Sequence, residues 1–457
     1  MRFLTFSARS LMSANTAYKA YPRYIQSGVL WLGDVPAHWQ VARSRRFFSQ
    51  RKERARPADQ QLTASQKHGI ILQKDFIEAE GQKVVEVITG ADILKHVEPD
   101  DFVISMRSFQ GGLEWSGLQG SISSAYVMLI PSPAIDPKYF KYAFKSRSYI
   151  QVLQSTSNLV RDGQALRFEN FTQVDVPLFP IYEQRAIASF LDRETAKIDE
   201  LIAKQERLIE LLAEKRRAVI SHAVTKGLDL NVPMKDSGID WIGSVPTHWE
   251  VLPLKRVTLD RCDGPFGSGL KSEHYSDSGV RVIRLQNIRR GSFDGTDEAF
   301  IDAAYAADLF GHDVRAGDVL VAGLGDERNS VGRACVAPPD IGPAIVKADC
   351  FRFRLDTRRI RAQFAAAQLA AGSDADAGRM SSGSTRSRIP LSAMGSRMVT
   401  LPPTPEQILI CKHLTEVAAV IDEIAAKANQ SIELMKERRS ALISAAVTGK
   451  IDVREVA

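Results

Sequence analysis

Apolar residues recur at near-heptad spacing in two long stretches of the chain. From Glu183 they fall at Leu191, Ile198, Leu201, Leu208, Leu212 and Val219, and from Glu406 at Leu414, Val417, Ile421, Ile424, Met435 and Leu442. Charged residues such as Lys204, Glu210, Glu214, Arg216 and Arg217 fill the other faces. Neither stretch contains an internal Pro or Gly, and Gly227 and Gly449 punctuate the ends. The pattern predicts two amphipathic helices of about 40 residues, roughly 60 Å at ~1.5 Å per residue. A helix apolar on one narrow stripe needs a partner to cover it. The two stripes match position for position, so the expectation is that each covers the other in an antiparallel pair within the chain. The alternative is that each packs on its own domain. Gln205, Lys215 and His222 match Ala428, Arg438 and Ala445 of the second stretch; they either fix the register of the pair or lie at its frayed edge.

The helices are two copies of one sequence. Residues Glu183–Leu230 return as Glu406–Val453 with 22 identities in 48 ungapped positions, and Ser27–Val41 (SGVLWLGDVPAHWQV) returns as Ser237–Val251 (SGIDWIGSVPTHWEV) with nine in 15. The stretches between the repeats, roughly 42–182 and 252–405, show almost no similarity to each other. The chain therefore reads as short motif, variable domain, long helix, and then the same three parts again. Similar frames holding dissimilar inserts suggest one scaffold presenting two different readers. The spacing of eight residues between Trp31 and Trp39, and between Trp241 and Trp249, with Pro36 and Pro246 between them, suits a structural clasp between helix end and domain. Stacking platforms for bases are the other reading of these tryptophans.

Composition narrows the class without settling it. A chain of 457 residues suits two to four domains. With 60 Lys and Arg against 54 Asp and Glu, the formal charge is +6, which permits a polyanionic partner without demonstrating one. The four cysteines are far apart and form no CxxC pair, as expected for reduced thiols in a cytosolic protein. The histidines form no zinc spacing, and no apolar run is long enough to span a bilayer. The first 26 residues read as a flexible leader, with Met1 and Met12 both candidate starts. There is no GxxxxGK[ST] phosphate loop and no NPPY-like or DPPY-like tetrapeptide. GPFGSG at Gly264–Gly269 lacks the preceding strand and following βαβ unit of a cofactor loop. The residues thus suggest a reader without chemistry of its own: no catalytic residue, no metal ligand and no cofactor in this chain.

The WxGxxPxxW motif, the long helix beginning EQ and ending AVTKG, and the string MKDSGIDWIGSVPTHWEV resemble the specificity (S) subunits of type I restriction–modification systems. The resemblance covers nearly everything after about Tyr21. DDFVISMRSFQGGLEWSGLQGSISSAY at Asp101–Tyr126 and DGPFGSGLKSEHYSDSGVRVIRLQNI at Asp263–Ile288 look like two different recognition-domain subtypes, and Gly317–Ala334 is similar to the strand–loop–strand element of the second. It implies an α+β fold: two globular α/β target-recognition domains separated by two long helices that pair as an antiparallel coiled coil, with internal pseudo-two-fold symmetry. The boundaries expected are a leader over 1–26, the first recognition domain with its clasp over 27–182, a helical spacer over 183–236, the second domain with its clasp over 237–405, and a second spacer over 406–457. It further implies a non-catalytic subunit that reads a split, asymmetric site in double-stranded DNA, one half per domain. Two methyltransferase (M) subunits using S-adenosylmethionine would modify adenine. Whether two ATP- and Mg2+-dependent restriction/translocase (R) subunits join them stays open. The location implied is the bacterial cytoplasm, at the nucleoid when bound to DNA. A self-sufficient modification enzyme with a degenerate cofactor site, or a coiled-coil scaffold that never touches DNA, are the rival readings.

If DNA is the ligand, Arg suits guanine edges and phosphates, and Asn or Gln suits adenine. In the first domain, MRSFQGG offers Arg107 and Gln110 on a glycine-permitted turn, and STSNLVRDGQALR offers Asn158, Arg161, Gln164 and Arg167, although Asn158 or Gln164 could instead cap a turn. In the second, Ser268 and Lys271 follow the glycine-rich start. RVIRLQNIRR at Arg281–Arg290 reads as a strand with Val282, Arg284 and Gln286 on one side and Ile283, Leu285 and Asn287 on the other, followed by Arg289; a solvated edge strand is the bland reading of it. GLGDERNSVGR adds Arg328, Asn329 and Arg333, and SSGSTRSR adds Arg386 and Arg388.

Overall fold

The computed structural model describes residues 18–81, 93–106, 108–156, 166–266, 269–326, 328–377 and 387–455. The chain divides into two compact units, Met1–Glu206 with Asn429–Ala457, and Arg207–Ala428. Two long helices, α1 at Ile181–Lys226 and α2 at Thr404–Val447, each give one part to each unit. Both begin the same way. The Pro180 carbonyl accepts the N–H groups of Glu183 and Gln184 at 3.0 and 3.2 Å, and the Pro403 carbonyl those of Glu406 and Gln407 at 2.9 and 3.1 Å. Both end in a left-handed glycine, Gly227 at φ +78° and Gly449 at φ +68°, which stops the helix without a Cβ penalty. At Gly449 a Cβ would also fall 2.5 Å from Pro36.

The expected antiparallel coiled coil is present. In the first unit Arg439 grips Asp199 at 2.9 and 3.3 Å; in the second Arg216 grips Asp422 at 2.7 and 3.1 Å. Arg216 and Arg439 are the same position of the repeat, and so are Asp199 and Asp422. This reciprocity is what pseudo-two-fold pairing requires. The seam itself is rotated from the expected stripe. The less exposed positions are Ile198, Ile202, Gln205, Ile209 and Leu212 on α1, with Ile421, Ala425, Ala428, Ile432 and Met435 as their counterparts on α2, whereas Leu201, Leu208 and Ile424 are exposed. Of the polar positions singled out, Gln205 and Ala428 lie on the seam, while Lys215, His222 and Arg438 are exposed.

Each unit holds an antiparallel four-stranded sheet. In the first, β1 (Phe48–Arg51), β2 (Phe102–Ile104), β3 (Glu114–Trp115) and β4 (Val127–Pro131) lie in the order β1-β4-β2-β3. In the second, β5 (Thr258–Cys262), β6 (Val319–Ala322), β7 (Ala334–Val336) and β8 (Cys350–Leu355) lie in the order β5-β8-β6-β7. The two orders are the same. The variable inserts therefore share a sheet that their sequences conceal, because side-chain packing within it differs. In the first it rests on aromatic rings, Phe48, Phe102, Phe140, Phe144 and Phe171, with centroids 5.1–5.8 Å apart. In the second it rests on Val319, Val321, Phe351, Phe353 and an alanine-rich helix, Ala362–Ala371. The second unit adds a five-stranded mixed sheet, in which Val280–Ile283 runs parallel to Ala344–Val346.

The clasps join these parts. Tyr24–Gln26 pairs with Asp34–Pro36, and Met234–Asp236 with Ser244–Pro246, in matching register. From each clasp the chain enters its variable domain through a strand, Gln40–Arg43 or Glu250–Pro253. That strand is paired with the strand by which the chain leaves, Asp175–Leu178 or Met398–Leu401. Entry and exit thus lie side by side. The expected leader ends earlier than residue 26, since Tyr21 is buried and Tyr24 begins the clasp strand; Met1 and Met12 lie outside the described residues. Among the described residues, no helix is long and apolar enough to cross a membrane.

Candidate nucleic-acid interface

In the second unit the segments singled out in the sequence converge. Leu324 and Gly325 pair with Arg388 and Ser387. Arg388 forms an ion pair with Asp349 at 2.8 Å and lies 5.3 Å above the Phe266 ring. The Arg333 guanidinium donates to the carbonyls of Ile288, Leu285, Leu324 and Ser330 at 2.8–3.1 Å, which ties the turn after Val280–Ile283 to the loop after β6. Asp326 accepts the N–H groups of Arg328 and Asn329 at 2.9 and 2.8 Å. Those donors, backbone N–H groups foremost, hold its carboxyl below the usual range and shape a tight polar turn. Near the base of the glycine-rich start, burial pushes the Asp263 carboxyl up to about 6, although its Oδ1 accepts the N–H groups of Gly264 and Asp349 at 2.7 and 2.9 Å.

Three of the expected contact residues are spent internally. Arg333 is 6% exposed, and burial, which opposes its charge, pulls its guanidinium down from the ordinary value. Asn287 is fully buried. Its amide donates to the carbonyls of Asp294 and Asp297 and accepts from the Arg284 N–H at 2.7–2.9 Å. The Arg284 side chain is ion-paired with Asp297. Asn287 and Arg333 build the platform and are buried from a ligand, and Arg284 joins them through Asp297, its Nε buried without a partner. The expected strand alternation also fails here. The strand stops at Ile283, Leu285–Asn287 is a 3-10 turn, and Val282 and Ile283 are both buried, because a sheet covered on both faces needs no polar side. Gln286, Arg289, Lys271, Arg328 and Arg388 remain at the surface and Asn329 is half-buried; Arg289 is paired with Asp294 at 3.1 Å and Lys271 with Glu273 at 3.7 Å. Ser268 and Arg386 lie outside the described residues.

In the first unit, Gln110 is exposed on the short helix Ser108–Gly111, and Arg167 is exposed at the start of Phe168–Thr172. Gln154 donates to the Phe109 carbonyl, and Asn170 donates to the Thr156 carbonyl at 2.7 Å while accepting from the Arg167 N–H at 2.9 Å. One run of hydrogen bonds thus connects the flanks of both expected loops. Gly112 permits the first of them: it has φ +76°, and a Cβ there would meet the Phe144 carbonyl oxygen at 2.1 Å. Arg107, Asn158, Arg161 and Gln164 lie outside the described residues.

Trp31, Trp39 and Trp249 are buried clasp residues, closed to base stacking, and Trp241 is half-buried. Trp39 and Trp249 are buried and donate to Glu183 and Glu406, each at 3.0 Å, and His38 and His248 reach the same carboxylates at 2.8 and 2.9 Å. The neighbouring glutamines finish each joint. Gln184 accepts from Asp136 N–H and donates to the Phe179 carbonyl, both at 2.8 Å; Gln407 accepts from Arg361 N–H at 2.8 Å and donates to the Pro402 and Arg359 carbonyls at 2.8 and 2.9 Å. In the sequence alone EQ is legible only as a repeat marker. Its recurrence opposite a recurring HW was the signal that these are partners.

The chain is similar to two kinds of known protein, curated relatives in sequence and solved structures in fold. The chain is 22% identical over 365 residues to the EcoKI type I restriction enzyme specificity subunit of Escherichia coli strain K12, covering 78% of this chain and 75% of that protein. It is 21% identical over 364 residues to the StySPI type I specificity subunit of Salmonella potsdam, again 78% and 75%. Both relatives carry the family name that the repeats resemble. In fold it is similar to a structure from a study of complex assembly and conformational transition of the type I restriction–modification system. The TM-score there is 0.64 at 12% identity, covering 90% of this chain and 98% of that one. The HsdS subunit from Thermoanaerobacter tengcongensis gives a TM-score of 0.51 at 15% identity, covering 91% and 98%. No family model matches the chain.

Proposed function

We propose that the chain is the DNA-reading specificity subunit of a type I restriction–modification complex. The observation that carries this reading is the double presentation of one frame. The same clasp and the same four-stranded sheet occur twice, each carrying different polar loops and each feeding one of two reciprocally paired helices. Each unit reads one half of a bipartite, asymmetric site, and the helix pair sets the unread gap between the halves. The chemistry belongs to partners. Two M subunits methylate adenine with S-adenosylmethionine, and R subunits, where present, supply ATP- and Mg2+-dependent cleavage. The helices carry large apolar side chains away from their seam, among them Leu201 and Leu434 in the first unit and Ile408, Leu409 and Val420 in the second. Exposed apolar residues of this size suit a partner surface, and methyltransferase subunits dock there and on the clasps.

Replacing residues 42–182 with another recognition domain tests the reading. The paired entry and exit strands let the insert change without moving the helix. Methylation mapping should show one half of the motif altered and the other kept; alteration of both halves would refute one reader per unit. Methyl transfer to DNA by the purified chain alone would instead favour a self-sufficient enzyme.

A further inference from the structure

The second unit contains an open cleft of about 600 Å³ between its recognition loops and its part of the helix pair. Ile209, Leu212 and Ile421 form an apolar floor. Six arginines line the cleft against two aspartates, Asp326 and Asp422. Arg216 is held by Asp422, Arg289 by Asp294, and Arg333 by four carbonyls. Arg290 donates to the hydroxyls of Ser330 and Ser373 at 2.9 Å. Among the described residues, no carboxylate pairs with Arg217 of α1 or with Arg328 of the loop facing it, and both are exposed. Arg217 is peculiar to one copy of the frame, since its counterpart in the repeat is Ser440.

We propose that this cleft seats the phosphodiester backbone of DNA beside the half-site read by the second unit, with Arg217 and Arg328 as its phosphate contacts. The inference rests on the DNA reading above and adds a grip supplied by the helical frame as well as by the loops. A guanidinium offers two parallel N–H groups that match a phosphate's oxygens. Phosphate contacts fix register and orientation and carry no sequence information. A cation on a rigid helix suits that task, because it keeps its place when the loops change. A free phosphate-bearing molecule, such as a nucleoside triphosphate, presents the same chemistry, and the test separates the two.

The full chain, reconstituted with methyltransferase subunits, is titrated with a target duplex and a scrambled duplex across a salt series. Wild type, Arg217→Ser, Arg328→Ala and the double variant are compared. Removing each arginine should lower the slope of log affinity against log salt by about one. The fall in affinity between about 50 and about 200 mM salt then becomes about 3.5-fold shallower per contact removed. Both duplexes should weaken by the same factor, and the methylated motif should not change. An unchanged slope in the double variant, or a loss confined to the target duplex, overturns the proposal. Arg217→Ser copies the residue of the other repeat at an exposed helix position, so the variant folds. In a second arm, inorganic triphosphate is added to the same proteins. A rise in melting temperature for wild type but not for the double variant, with the DNA slope unchanged, reassigns the cleft to a small phosphate and also overturns it. A wild-type complex that binds neither duplex in a salt-dependent way refutes the DNA reading itself.

Discussion

The two clasps are built from the same residues, yet they hold their glutamates differently. In the first unit the Glu183 side chain is 0% exposed and accepts from Tyr21, Trp39 and His38; in the second the Glu406 side chain is 27% exposed and, among the described residues, accepts from Trp249 and His248. The difference comes from outside the repeat. Tyr21 lies across the first joint, its hydroxyl 2.7 Å from Glu183, and the position matching it in the second copy is Asn231. The tryptophans that open the clasps differ in the same direction. Trp31 donates to the Asp175 carbonyl at 2.9 Å, whereas the Trp241 indole nitrogen is buried without a partner. Identity of motif therefore does not give equality of joint; a residue beyond the motif decides how dry each one is.

The largest expected effect breaks this comparison directly. Glu183→Ala strands the Trp39 indole and the Tyr21 hydroxyl in a buried site and should cost about 3 kcal/mol, while Glu406→Ala, at a wetter joint, should cost about 1 kcal/mol. Hydrogen exchange resolved by unit, compared between the two variants, measures both. Equal losses would show that Tyr21 contributes nothing to the first joint.

The same contrast explains what was legible in the sequence. The helices were readable because their period is enforced along some 40 residues, and the clasps because HW and EQ recur as sets. The seam was misplaced by one position because Leu201 and Leu208 are apolar without being covered; amphipathicity alone does not separate a coiled-coil stripe from a surface for another protein. The shared four-stranded sheet was invisible, since its order depends on long-range pairing such as Val127–Ile104 and Cys350–Ala322. At the candidate interface the residue types are legible but their partners are not: the side chains of Asn287 and Arg333 donate to backbone carbonyls, and Arg284 is ion-paired with Asp297. Polar residue types show capacity to bind; only the fold shows whether that capacity is already used.

An intermediate effect separates the units by pH. In the first, both ring nitrogens of buried His96 meet carboxylates, Asp59 and Glu98, each at 2.7 Å. Burial alone pulls the ring down, but these hydrogen bonds outweigh it and hold His96 above its ordinary 6.5. Its contribution is therefore fully present below 6.5 and lost as pH rises through the raised value. In the second, burial holds Asp263 at about 6 against an ordinary 3.8, so the unit loses stability across that interval as pH rises. Asp263→Asn should recover about 1 kcal/mol at neutral pH, discounted for partial exposure, and nothing near pH 4. His96→Gln should abolish the alkaline loss in the first unit alone. Unit-resolved exchange across the pH range checks both, and a shared profile would refute the assignment.

The smallest effect tests where the units should agree. The Arg216–Asp422 and Arg439–Asp199 pairs occupy equivalent places, and all four side chains are substantially exposed, 38% and 61% in one pair and 38% and 52% in the other. Exposed ion pairs are screened and spend side-chain entropy, so each should contribute about 0.5 kcal/mol. A double-mutant cycle to alanine at each pair isolates that coupling from the rest of the seam. The two coupling energies should match within about 0.3 kcal/mol and fall together as salt is raised. The asymmetries then belong to the joints and the readers, and the helix pair is the part of the molecule on which the pseudo-symmetry is energetic as well as geometric. Unequal couplings would place an asymmetry inside the helix pair itself.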